Sequence, residues 1–144
     1  MAHDSSLNVA RDTPQALVDL SDALSDFSDK LDEYIKSSGD PFTPVMQQLR
    51  NLDTHIAADA ALMARLAVEA MADDVRAAVA DLKNQTNRAR QTLQNIQNVK
   101  TALGLAAAVL SVAATISTGD PLASSKSVLA LVQVISNAVD ATRA

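Results

Sequence analysis

Apolar residues recur at steps of three and four along most of this chain. The cleanest series runs Leu17, Leu20, Leu24, Phe27, Leu31 and Tyr34, the spacing of a heptad seam that needs a partner helix. A second series starts at Val45 and keeps one face through Leu49, Leu52, Ile56, Met63, Ala67, Met71, Val75, Ala78 and Leu82, provided its period drifts from ~3.5 toward ~3.67 residues per turn. It continues in phase through Thr86, Ala89, Leu93, Ile96 and Leu103. Near the end, Leu105, Val109, Val112 and Ile116 form one stripe with Leu103 and Leu110 beside it, and Val128, Leu131, Val132 and Ile135 belong to a run that is apolar nearly all round. A helix apolar on more than one face must be covered by several neighbours, by another chain or by lipid.

Proline and glycine divide these patterns into segments. Thr13-Pro14, Thr43-Pro44 and Asp120-Pro121 each put a side-chain acceptor where a helix needs a cap and proline where its missing N–H costs nothing. Gly39 and Gly119 stand just before the second and third of these starts, where a helix end favours a left-handed residue. The predicted architecture is therefore all-α, an elongated, coiled-coil-like helical bundle with helical segments at about 14–38, 44–118 and 121–143. Residues 1–12 are expected to form a disordered tail and 13–144 a single domain.

The middle segment, about 75 residues long, would make a rod of roughly 110 Å that needs a second chain. Folding back at Lys83 to Asn87, where Asn84, Thr86 and Asn87 are weak helix formers, would give four helices in one compact bundle.

Composition supports the helical reading, since apolar residues make up 48% of the chain while aromatics are only 2% and strands favour aromatic and β-branched types. Cysteine is absent, which removes a disulfide framework, a thiolate nucleophile and a cysteine metal site. The first twelve residues contain two acids and no apolar run, so no signal peptide is expected and the chain is placed in the cytoplasm at synthesis.

Charge is segregated. Residues 1–40 hold nine acids and three bases, whereas 83–100 hold four bases, Lys83, Arg88, Arg90 and Lys100, and no acid, among eight Asn or Gln. This basic flank is read as facing the acidic first helix, on which Asp22, Asp26, Asp29 and Glu33 form a stripe. Pairs Asp26–Lys30 and Asp32–Lys36 are expected one turn apart along that helix. The stripe reads as a solvated face, because it lacks the glycine-turned loop that gathers oxygens around calcium. Nucleic acid is not expected as a partner, since four bases make a small footprint and no aromatic lies near them.

Chemistry is sparse. His55 and Asp59 lie one turn apart, but a helix-surface pair is the commoner reading than a metal site. No phosphate loop, nucleophile elbow or HExxH helix is present. Asn84-Gln85-Thr86 matches a glycosylation acceptor with nothing else to mark a secreted chain. Catalysis, a metal, a cofactor and a small-molecule substrate are therefore not expected.

Thr101 to Gly119 is a run of nineteen residues without a charge, ~28 Å as a helix and close to a bilayer's hydrocarbon thickness. Its few Leu, Ile and Val are opposed by Ser, Thr and Gly, so insertion of this run alone is near neutral. With the last helix it forms an apolar hairpin, 99–139, that resembles the membrane-inserting hairpin of helical pore-forming toxins. The resemblance implies a membrane-active protein. A phasin-like coat on a hydrophobic particle is a further alternative. The leading expectation is a non-enzymatic interaction module that self-associates and binds another protein through helix packing.

Overall fold

The computed structural model describes residues 2–37, 42–66 and 71–142, with side chains from Gln15 onward. Five α-helices and one short 3₁₀ turn make up the fold, and no strand occurs among the described residues. The helices are α1 (Ala2–Ser37), α2 (Pro44–Met63), α3 (Asp73–Leu93), α4 (Val99–Ser117) and α5 (Ser125–Ala141), with the 3₁₀ turn at Asp120–Ala123. The all-α bundle is as the periodicity predicts.

The breaks lie elsewhere than expected. The middle segment is neither one rod nor a pair hinged at Lys83 to Asn87; it holds three helices, α2 ending at Met63, α3 running from Asp73 to Leu93 and α4 starting at Val99. The expected hinge stays helical because its weak helix formers are held by packing. Thr86 is fully buried, and its hydroxyl donates to the carbonyl of Leu82 at 2.8 Å, within the run Leu82, Thr86, Ala89 and Leu93 that faces the core. Tertiary burial outweighs a propensity deficit of at most ~0.7 kcal/mol per residue. The 94–98 turn is closed by Asn98, whose side chain accepts from the Lys100 amide at 2.9 Å and so starts α4.

Two of the three proline starts also change. Helix α1 runs from Ala2 straight through Pro14, in place of the expected tail at 1–12, since Pro14 removes one amide donor while no other proline or glycine interrupts residues 2–37. At Asp120-Pro121 only the 3₁₀ turn forms, and α5 begins one turn later with Ser124 as its cap. Thr43-Pro44 behaves as read: the Thr43 hydroxyl accepts from the Met46 amide at 3.3 Å. Gly119 has φ +81°, the left-handed conformation that glycine adopts without steric cost. Gly39 and Ala67 lie outside the described residues.

Successive helices alternate in direction, and their neighbours in space are not all neighbours in sequence. Helix α1 packs on α2 and α3, α2 on α4, α3 on α5, and a smaller α4–α5 contact closes the ring. Thus α1, α3 and α5 point one way and α2 and α4 the other. Gly119, after α4, lies beside Leu66, after α2, and Val45 and Met46 share a groove with Val99 and Lys100 at the opposite end. The inward stripes of all five helices meet in one continuous core. A single chain therefore buries its own apolar stripes, and the second chain that a rod would have required is not needed for folding.

Candidate functional site

The α1 seam sits where its heptad puts it. Leu17, Leu20, Leu24, Phe27 and Leu31 are buried, and Tyr34 is half-buried at the edge of the core. Ile35, outside the heptad series, is buried as well. Two polar side chains on α1 enter this seam. Ser21 donates to the carbonyl of Ala60 at 2.7 Å, and Ser28 donates to the carboxylate of Asp53, tying α1 to α2 where both are largely dry. Asp53 is half-buried, and its carboxyl is pushed above the usual carboxylate range, chiefly by burial and further by the charges of Asp32 and Asp29, against the opposing hydrogen bond from Ser28. Burial disfavours the ionised form, and like charges add to the effect. Nothing in the local sequence marks this pair, whose members are 25 residues apart.

The outer acidic stripe of α1 is exposed at Asp22, Asp26, Asp29 and Glu33. Lys36 pairs with Asp32 at 2.9 Å as expected, whereas Lys30 turns toward Glu33 at 3.0 Å rather than Asp26. Both are surface pairs, open to water and screened by salt, and hold the fold together little.

The four bases of the amide-rich flank do not act as one patch. Lys83 shares a groove with Asp19, Asp22 and Asp26 of α1, while Arg88 bonds Asp140 of α5 at 3.2 Å. Arg90 is half-buried with its Nε atom lacking a hydrogen-bond partner, and Lys100 is exposed at the start of α4. Only Lys83 is thus placed against the acidic helix.

His55 is exposed and Asp59 half-buried, and among the described residues no group of three or more His, Cys, Asp or Glu side chains is placed to hold a metal ion. In the Asn84-Gln85-Thr86 triplet the threonine hydroxyl is buried and committed to Leu82.

The apolar hairpin is two different things. Leu105, Val109, Val112 and Ile116 of α4 are fully buried, with Val128 and Ile135 of α5; Leu103, Leu110, Leu131 and Val132 are half-buried against the same core. These helices belong to separate packing pairs, α4 with α2 and α5 with α3, and touch each other less than they touch those partners. Their outer faces are uncharged over most of their length. On α4 the exposed stripe is Lys100, Gly104, Ala107, Ser111, Ala114 and Thr118; on α5 it includes Ala130, Gln133 and Asn137, with Leu129 46% and Val134 39% exposed beside them. No charge lies on α4 beyond Lys100, or on α5 between Lys126 and Asp140. Sequence alone identified this region as apolar but not which residues turn outward.

Helix α4 is the one helix among the described residues long and apolar enough to cross a membrane, a property shared by core helices of water-soluble proteins. Comparisons of the chain with protein-family models, with curated proteins and with solved structures each return no match.

Proposed function

We propose that this chain is a non-enzymatic helical assembly module, working in the cytoplasm by helix packing against another protein surface, its own copies included. The observation that carries this reading is the uncharged α4–α5 outer face, lined on α4 by glycine, alanine, serine and threonine. Small side chains at this spacing let helix backbones approach closely. Catalysis, a cofactor, nucleic acid and a small-molecule substrate have no part in it.

A membrane-active role is the second reading, favoured by the length and apolarity of α4. The packing weighs against it. The large aliphatic side chains of α4 point into the core and the small ones point out, the reverse of a surface prepared for lipid. To insert, α4 would have to leave α2 while α5 left α3, two separations rather than the swing of one preformed hairpin. A phasin-like coat would similarly need the apolar stripes that here share one core.

Sedimentation equilibrium with and without anionic liposomes, joined to dye release at acidic and neutral pH, tests the proposal. The expected result is a mass that rises with protein concentration and vesicles that stay sealed. Dye release by the wild-type protein, or a mass of 15.1 kDa at every concentration with no partner captured on the α4–α5 face, overturns it.

A further inference from the structure

We infer that a second copy of this chain docks on the α4–α5 face, with α4 packed antiparallel on the partner's α4 about a twofold axis that crosses α4 midway between Ala107 and Ser111. This deepens the assembly reading and rests on it, by committing to the occupant, the face and the register.

Gly104 is the first observation. It lies inside α4, where glycine costs ~1 kcal/mol relative to alanine, yet a Cβ built on it would meet nothing within 4 Å. Its own chain has no use for the missing side chain. A helix from another molecule, brought close enough to need that space, does.

The register follows from symmetry. The exposed stripe on α4 advances by four, three, four, three and four residues from Lys100 to Thr118, the seam of an antiparallel helix pair. About the midpoint between Ala107 and Ser111 it matches itself: Ala107 falls opposite Ser111 of the partner subunit, Gly104 opposite Ala114 of the partner subunit, and Lys100 opposite Thr118 of the partner subunit. A twofold contact requires such a self-complementary patch.

Charge agrees. Lys100 stands at one end of α4 and exposed Asp120 just past the other, so antiparallel packing sets each lysine over the opposing aspartate. On α5, which runs the opposite way, Lys126 and Asp140 occupy the two ends, and the same axis brings these together as well. Packing α4 on the partner's α5 would also match charges, but it wastes this self-match and places the bulk of Leu129 against the small-residue seam. A face one helix long and two helices wide is roughly 500 Å² per partner, at the low end for specific interfaces, so the dimer should dissociate on dilution.

Because the chain has no cysteine, the register can be read by disulfide trapping. Ser111→Cys should form a covalent dimer in air when mixed with Ala107→Cys, the position it faces across the axis, while Leu62→Cys, on the exposed side of α2, should not. In sedimentation equilibrium, Lys100→Glu should weaken association at least several-fold and Lys100→Glu/Asp120→Lys should restore it, with unchanged helicity in each variant. A wild-type dimer in which Ser111→Cys mixed with Ala107→Cys stays reduced and the charge swap does nothing overturns this interface while leaving the assembly reading intact. A wild type monomeric at its highest soluble concentration, with no disulfide-trapped dimer from that mixture, overturns both, and binding of that monomer to anionic vesicles would assign the face to lipid.

Discussion

Helices α1 and α4 bury equivalent stripes and expose opposite chemistries. Each turns large aliphatic residues inward at three- and four-residue steps, Leu17 to Leu31 in α1 and Leu105 to Ile116 in α4, and each stripe is almost completely removed from water. Outside, α1 carries Asp22, Asp26, Asp29 and Glu33, whereas α4 carries Gly104, Ala107, Ser111 and Ala114. The inner faces make the fold; the outer faces decide what the folded protein can touch. Four carboxylates keep their water, because desolvating unpaired charge costs far more than close packing returns. A strip of small neutral residues gives up its water at little cost.

The inner faces also differ in one respect. The α1–α2 seam is threaded by Ser21, Ser28 and Asp53, while the buried residues of α4 are all apolar. A response of the fold to pH is therefore expected on the α1 side, at Asp53.

The sharpest test of equivalence is to place a charge in each stripe. Leu24→Asp and Val112→Lys each put an unpaired ion at a fully buried position, at a cost of about 3–5 kcal/mol in a domain whose total stability is of order 5–15. Circular dichroism in plain buffer should show both variants largely unfolded or greatly destabilised, with no lipid present. A Val112→Lys protein that melts like the wild type would mean that α4 is held only loosely.

Asp53 gives the next effect. Its carboxyl titrates above the unfolded value in the folded protein, so the folded state binds the proton more tightly. The stabilisation linked to this proton is present at acid pH and is lost as pH rises through the folded pKa. Asp53→Asn keeps an acceptor for Ser28 and removes the charge. It should raise the melting temperature at pH 7 and flatten the gain in stability that the wild type draws from Asp53 as pH falls from neutral through the folded pKa. A melting temperature lower than wild type at pH 7 would show that the ionised carboxylate is a net stabiliser there.

The smallest effect is expected on the outside of α1. Asp26→Asn lies on an exposed face and has no ion pair among those the structure shows, so its melting temperature should shift by no more than ~0.5 kcal/mol allows. A large loss would show that the acidic stripe binds a cation or a basic partner.

The two series were legible in the sequence to different degrees, for physical reasons. The α1 heptad and the stripe Leu105 to Ile116 are written in periodicity, which burial itself imposes. The end of α2 at Met63, the start of α3 at Asp73 and the turn at 94–98 are harder to read, since no glycine or proline occurs between Pro44 and Gly104. Their signals are quieter: Asp73 and Asp74 at the start of α3, where carboxylates favour the helix dipole, and Asn98 as the cap of α4. Thr86 misled in the other direction, its weak propensity masking a buried and hydrogen-bonded position. Neither the Ser28–Asp53 contact nor the unused space beside Gly104 has any local signature, because both depend on how distant helices are set together.

The ring order carries a consequence for the birth of the protein on the ribosome. Helix α1 has both of its main neighbours, α2 and α3, next in the chain, so a three-helix nucleus can gather before α4 is made. Helix α4, with its long charge-free run, must reach back past α3 to find α2, and α5 must reach back past α4 to find α3. The stretch of chain with the greatest tendency to aggregate is thus synthesised after the surface that will receive it, and spends little time exposed.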